Sequence, residues 1–213
     1  MIAVSPAEKL RAARFIRQED RDRFIVAHGV LRQILGRYLS LDPAGLVFET
    51  GEFGKPAVVV PAGWPALSFN MAHSGDAILY AIANGRRVGV DVEAVRSDRD
   101  FMALAESQFA AEEVDALRAA GPDERTAAFY RCWTLKEAYV KARGEGLGFP
   151  LKQFAVAFGI GESPAMRWAA DDPQVTDRWS VFGLSLASGY AGALIVEGRP
   201  MQLVSRAWRE GMV

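Results

Sequence analysis

One cysteine, Cys132, stands alone among 213 residues, so no intrachain disulfide can form. It lies beside Trp133 in an apolar stretch with no histidine close by to activate it, and it reads as a small buried hydrophobe. Long apolar runs are also lacking, which leaves no candidate transmembrane helix. Lys9, Arg11 and Arg14 interrupt the N-terminus without an apolar core, so no secretory leader is expected and the cytoplasm is the default. Nor does one sign of charge dominate. The chain carries 25 basic and 26 acidic residues, a formal net charge of −1. That balance gives no electrostatic reason to expect nucleic acid or an anionic membrane as partner. No internal sequence repeat is visible.

What is present reads as helices followed by strands, twice. Residues 6–18 and 20–39 have helical spacing, the second through Phe24, Ile25, His28, Leu31, Ile34, Leu35 and Tyr38. Short strands are predicted over 46–49, 57–60, 67–72, 77–83 and 87–93. Asn84-Gly85, between two apolar runs, predicts a hairpin. Helices are then predicted over 100–108, 111–120 and 123–143, the last ended by Gly144 and Gly146, and strands over 154–158, 165–169, 179–187 and 190–196. This order predicts an α+β fold of two similar halves, residues 1–97 and 98–213, joined near Val95–Asp98.

Two segments carry the chemistry. Val88-Gly-Val-Asp-Val-Glu93 reads as a buried strand, in which alternate residues share a face, so Asp91 and Glu93 point the same way. Phe129-Tyr-Arg-Cys-Trp-Thr-Leu-Lys-Glu-Ala-Tyr-Val-Lys141 reads as a helix, with Trp133, Glu137 and Lys141 on one side. Lys136 falls off that face and reads as a structural residue or local ion-pair partner. If strand and helix pack together, three carboxylates and one ammonium converge. Carboxylates amid apolar residues are rare unless paired or metal-bound. Three oxygen ligands suit a hard cation such as Mg²⁺, and a cation flanked by a lysine suits cleavage of a pyrophosphate. Clustered carboxylates also serve metal-dependent phosphoesterases, and a silent ligand-binding protein is a further alternative.

In this order the two segments resemble the signature motifs of 4'-phosphopantetheinyl transferases, in the larger, surfactin-synthetase-activating group. Gly51-Glu-Phe-Gly-Lys-Pro56, Phe69-Asn-Met-Ala-His-Ser-Gly75, Gly144-Glu-Gly-Leu147 and the basic Arg14-Phe-Ile-Arg-Gln-Glu-Asp20 fit that group as well. The resemblance implies two pseudo-symmetric α/β halves, each with helices packed on a small, mostly antiparallel sheet, and an active site in the cleft between them. It implies transfer of the 4'-phosphopantetheine arm of coenzyme A to a serine of an apo acyl or peptidyl carrier protein, by a monomer. The silent alternative then becomes a coenzyme A- or carrier-binding protein. The implied Mg²⁺ ligands are Asp91, Glu93 and Glu137, with Glu137 and Lys141 catalytic. The implied coenzyme A contacts are Lys55, His73, Ser74, Asp91, Lys141, Arg11 and Arg14, of which Lys55 and His73 match positions at the 3'-phosphate. Phe109 and Leu117 lie in a segment that resembles the carrier-docking region. Two departures stand out. Ala72 occupies a position where many members have serine, and where members usually begin with a strand and a helix ahead of the matched region, this chain starts almost at the second of these, with Met1-Ile-Ala-Val4 as a remnant of the strand.

Overall fold

In the computed structural model, which describes residues 4–64, 66–97, 101–146, 148–199 and 202–209, a reciprocal cap opens the first helix. Ser5 Oγ accepts from the Glu8 N–H, and the Glu8 carboxylate accepts from the Ser5 N–H. That helix, α1 (Pro6–Ala12), is shorter than its spacing predicts. The chain turns through 13–17, which folds Phe15 back onto Phe24 at 5.5 Å between ring centres, and α2 (Gln18–Leu39) follows. Next come β1 (Phe48–Thr50), β2 (Pro56–Val58), β3 (Leu67–Ser74), β4 (Ala77–Asn84) and β5 (Val88–Ala94). After them come α3 (Phe101–Gln108), α4 (Ala111–Ala119), α5 (Pro122–Arg143), β6 (Phe154–Ala157), β7 (Ala165–Ala169), the short α6 (Val175–Arg178), β8 (Trp179–Gly183) and β9 (Tyr190–Glu197).

The fold is α+β with small antiparallel sheets, as expected. β1 pairs with β2, β3 with β4, β6 with β7, and β5, β9 and β8 form one three-stranded sheet in that order. The Asn84-Gly85 expectation fails. β4 runs antiparallel to β3 instead, joined at the Ser74↔Ala77 pair, while β5 pairs along its whole length with β9, more than 90 residues away. The turn is present, but pairing follows the partners that bury β5, not the nearest strand in sequence. The expected join between halves falls partly on residues 98–100, outside the described residues. Met1–Ala3 and Leu147 also lie outside them. Among the described residues, no helix is long and apolar enough to cross a membrane.

β5 is buried on both faces. Val88, Val90 and Val92 pack with Ala72, Ala81, Leu194 and Val196. The opposite face, carrying Gly89, Asp91 and Glu93, looks onto α5. The largest core cluster surrounds that helix, through Phe129, Cys132, Leu135, Ala138 and Tyr139, with Phe154 and Ile195 across from it. Cys132 is buried there, as expected of a small hydrophobe, and burial raises its thiol pKa. Gly89 sets the approach of strand to helix. A Cβ there would fall inside the van der Waals envelope of the Ala138 carbonyl oxygen and the Ala142 nitrogen, both rigid backbone. Gly89→Ala therefore forces strand and helix apart. We expect a loss of about 3 kcal/mol, the upper end for overpacking, or roughly 6–12 °C in Tm for a chain of this size. A melt within 2 °C of wild type, an allowance of about 1 kcal/mol, would contradict it.

Candidate active site

Asp91 lies mid-strand on β5 with only 4% of its surface exposed. Its Oδ1 accepts a 2.5 Å charge-assisted bond from Lys141 Nζ on α5. Its Oδ2 is buried without a hydrogen-bond partner among the described residues. Burial pushes the Asp91 carboxyl up to about 7, against the pull of the Lys141 ammonium, and the Glu93 and Glu137 charges push it the same way. Glu137, one turn before Lys141 on α5, is likewise raised by burial, opposed by Lys141 and reinforced by Glu93. The predicted strand and helix thus bring Asp91, Glu93, Glu137 and Lys141 into mutual electrostatic range.

Glu93 is aimed by a neighbour. Ser74 Oγ donates to Glu93 Oε2 at 2.8 Å and accepts from the Ala94 N–H at 3.0 Å. Asn70 Oδ1, four residues earlier on β3, accepts from the Val90 N–H. Side chains of β3 thereby satisfy two backbone donors of β5 that no strand ladder takes, and they fix Asp91 between them. Asn70 is not singled out in the sequence, and its one signal there is an amide within a strand, where asparagine is disfavoured.

The expected cage of three carboxylates is not closed. Among the described residues, no group of three His, Cys, Asp or Glu side chains is arranged as a ready metal site. The physical reason is local. Like charges repel, and two of the three carboxylates are drawn to partners of their own, Asp91 to Lys141 and Glu93 to Ser74. The residues still fit a hard cation, because a buried carboxylate oxygen without a partner, backed by two more carboxylates, is a donor set short of positive charge.

A sequence model described as the 4'-phosphopantetheinyl transferase superfamily matches residues 87–195, and one described as the N-terminal region of 4'-phosphopantetheinyl transferase matches residues 1–84. The chain belongs to the 4'-phosphopantetheinyl transferase superfamily. The transferase HetI of Nostoc sp. is 33% identical over 92% of this chain and 79% of its own length. A 4'-phosphopantetheinyl transferase of Bacillus subtilis is 35% identical over 73% of this chain and 67% of its own. Sfp, also from Bacillus subtilis, is 31% identical over the same shares.

The other residues expected to serve this transferase divide between the core, the surface and the edge of the Asp91 cluster. Phe109 and Leu117 are 1% and 0% exposed, so neither can dock a carrier by its own side chain. Phe109 stacks on Phe129 at 5.5 Å. The segment that resembles the carrier-docking region turns both of these side chains into the core. Trp133 packs on Phe109 and Phe129 as a partly buried member of that cluster. His73 is exposed, and the two-residue period of β3 turns it away from the face that carries Ser74 to Glu93. Ser74 is bonded to Glu93 and to the Ala94 N–H. Arg11 lies over the Phe24 ring at 5.4 Å, and Arg14 is exposed beyond α1. Among the described residues, neither arginine makes a hydrogen bond or ion pair to the Asp91 cluster. Lys55 Nζ is engaged by backbone carbonyls of β5 and α5, and burial, with the Arg87 charge adding, lowers it to about 8.

Proposed function

We propose that this transferase moves the 4'-phosphopantetheine arm of coenzyme A to a serine hydroxyl of an apo acyl or peptidyl carrier protein. The serine oxygen bonds to the phosphorus bearing the pantetheine arm. The bond from that phosphorus to the bridging oxygen breaks, adenosine 3',5'-bisphosphate leaves, and the serine proton passes to a carboxylate. The observation that carries this reading is Asp91, which is bonded through one oxygen to Lys141, itself one helical turn from Glu137, and whose other oxygen is buried without a partner among the described residues.

Asp91, Glu93 and Glu137 are the residues that would hold Mg²⁺. When bound, the ion supplies positive charge to the pyrophosphate oxygens. Lys141 sits at the same place and adds charge to the phosphate both before and during transfer. Glu137 is assigned the serine proton. Burial and the neighbouring Glu93 make it a stronger base than an exposed glutamate, and its partial exposure leaves it open to an incoming hydroxyl. Ser74 holds Glu93 in place. One chain contributes every one of these groups, which supports a monomeric site.

With coenzyme A, Mg²⁺ and an apo acyl carrier protein, adenosine 3',5'-bisphosphate should be released only when the carrier serine is present. Release without carrier would mark a hydrolase instead, and coenzyme A binding with no release would mark a silent binder.

A pH dependence follows for protein stripped of divalent metal. The folded-state pKa of Asp91, about 7, lies above its ordinary 3.8. The folded chain therefore holds more protons than the unfolded chain between those values, and this contribution to stability is lost as pH rises through the window. A cation binding at Asp91 must displace that proton, so Mg²⁺ affinity rises with pH up to about 7 and levels off above it. Calorimetric titration between about pH 5.5 and 8 reads this, and an affinity flat across that range would contradict it.

A further inference from the structure

The loop joining β1 to β2 places Lys55 against the far side of the site. Its ammonium lies 2.6 Å from the carbonyl oxygen of Lys141, 2.8 Å from that of Val88 and 3.4 Å from that of Ala142. Lys141 and Ala142 belong to the last turn of α5, where carbonyls have no partner within the helix and the dipole favours a cation. The Gly144 N–H takes the Val140 carbonyl, and Lys55 takes the next two. Gly144, in the left-handed region at φ +78°, leaves room for the lysine stem, since a Cβ there would sit 3.2 Å from Lys55 Cδ. Val88 opens β5, three residues before Asp91. One ammonium therefore ties the backbone of Lys141 to the start of the strand that carries its carboxylate partner. An ammonium has three N–H donors, and three carbonyls use them all.

We propose that Lys55 is a positioning residue that sets the reach of Lys141 toward the pyrophosphate, and not a contact for the 3'-phosphate. The proposal rests on the transfer reading above. Lys55 acts through the backbone of Lys141, so its loss reaches every ligand that Lys141 touches, whether or not a 3'-phosphate is present.

The test compares Lys55→Met, which keeps the stem and removes the donors, with Lys55→Arg, which keeps donors and charge. Coenzyme A and 3'-dephospho-coenzyme A are titrated by calorimetry, and single-turnover transfer is followed at saturating coenzyme A, well below the melting temperature. Lys55→Met should weaken both ligands by the same factor, about tenfold, as expected for one lost charge-assisted contact. It should also slow transfer at saturation, and Lys55→Arg should recover part of both losses. Weakening of coenzyme A alone would identify a direct 3'-phosphate contact and overturn the proposal. So would an unchanged saturated rate. If Lys55→Met does not fold, Lys55→Gln, which keeps two donors, carries the same comparison. Wild-type protein that binds coenzyme A without transferring would overturn the transfer reading, while the calorimetric comparison would still judge Lys55.

Discussion

Asp91→Asn folds as the wild type does and loses transfer by about 10²–10³-fold, the range for removing a preorganised electrostatic contact at a reacting centre. The amide keeps the shape and one acceptor for Lys141, whose ammonium needs it. It removes the negative charge, and it puts a donor where the unpartnered Oδ2 stood. Stability is spared because burial already disfavours the charged carboxylate that asparagine replaces. A cation site built on Asp91, Glu93 and Glu137 loses one of its three charges, and the most buried one. Circular dichroism and a thermal melt check the fold, and single-turnover transfer checks the activity. Transfer within about threefold of wild type, under 1 kcal/mol of barrier, would show that Asp91 is not at the chemistry.

Glu113→Ala has the largest expected effect on stability, a loss of about 3–5 kcal/mol, or roughly 6–20 °C in Tm. Glu113 is 1% exposed and Lys136 is not exposed at all. The Glu113 carboxylate accepts from Lys136 Nζ at 2.6 Å, from the Ala110 N–H at 2.9 Å and from the Val156 N–H at 2.9 Å. Lys136 Nζ also donates to the Phe154 carbonyl and faces the Phe154 ring at 4.2 Å. Burial pulls the Lys136 pKa down, and Glu113 is the foremost of the groups that hold it up. Removing Glu113 strands an ammonium and two backbone donors in the core. The double variant Glu113→Leu, Lys136→Met removes both charges, and it should recover much of the loss. A single variant as stable as the double would contradict this.

The central packing was legible because it is periodic. Alternation in Val88–Glu93 and four-residue spacing from Trp133 to Lys141 put Asp91, Glu93, Glu137 and Lys141 on facing surfaces, and Gly89 lets those surfaces meet. What was not legible depends on which distant group covers which face. The pairing of β5 with β9 and the side-chain seam from Asn70 and Ser74 join residues that no local pattern relates. Lys136 was correctly set apart from the Glu137 face, but its partner lies 23 residues away on α4. Phe109 and Leu117 show the limit of a segment resemblance, since an apolar side chain reads the same in sequence whether it faces a core or a partner. Lys55 shows another limit. Its charge is visible in sequence, but the helix end that captures it is not.

The most direct test of the central claim is the intact mass of an apo carrier protein after incubation with this transferase, coenzyme A and Mg²⁺. The account predicts a gain of one phosphopantetheine at the carrier serine, lost when excess chelator is present and when Asp91→Asn replaces the wild type. An unmodified carrier with the wild type, or full modification by Asp91→Asn, would contradict it.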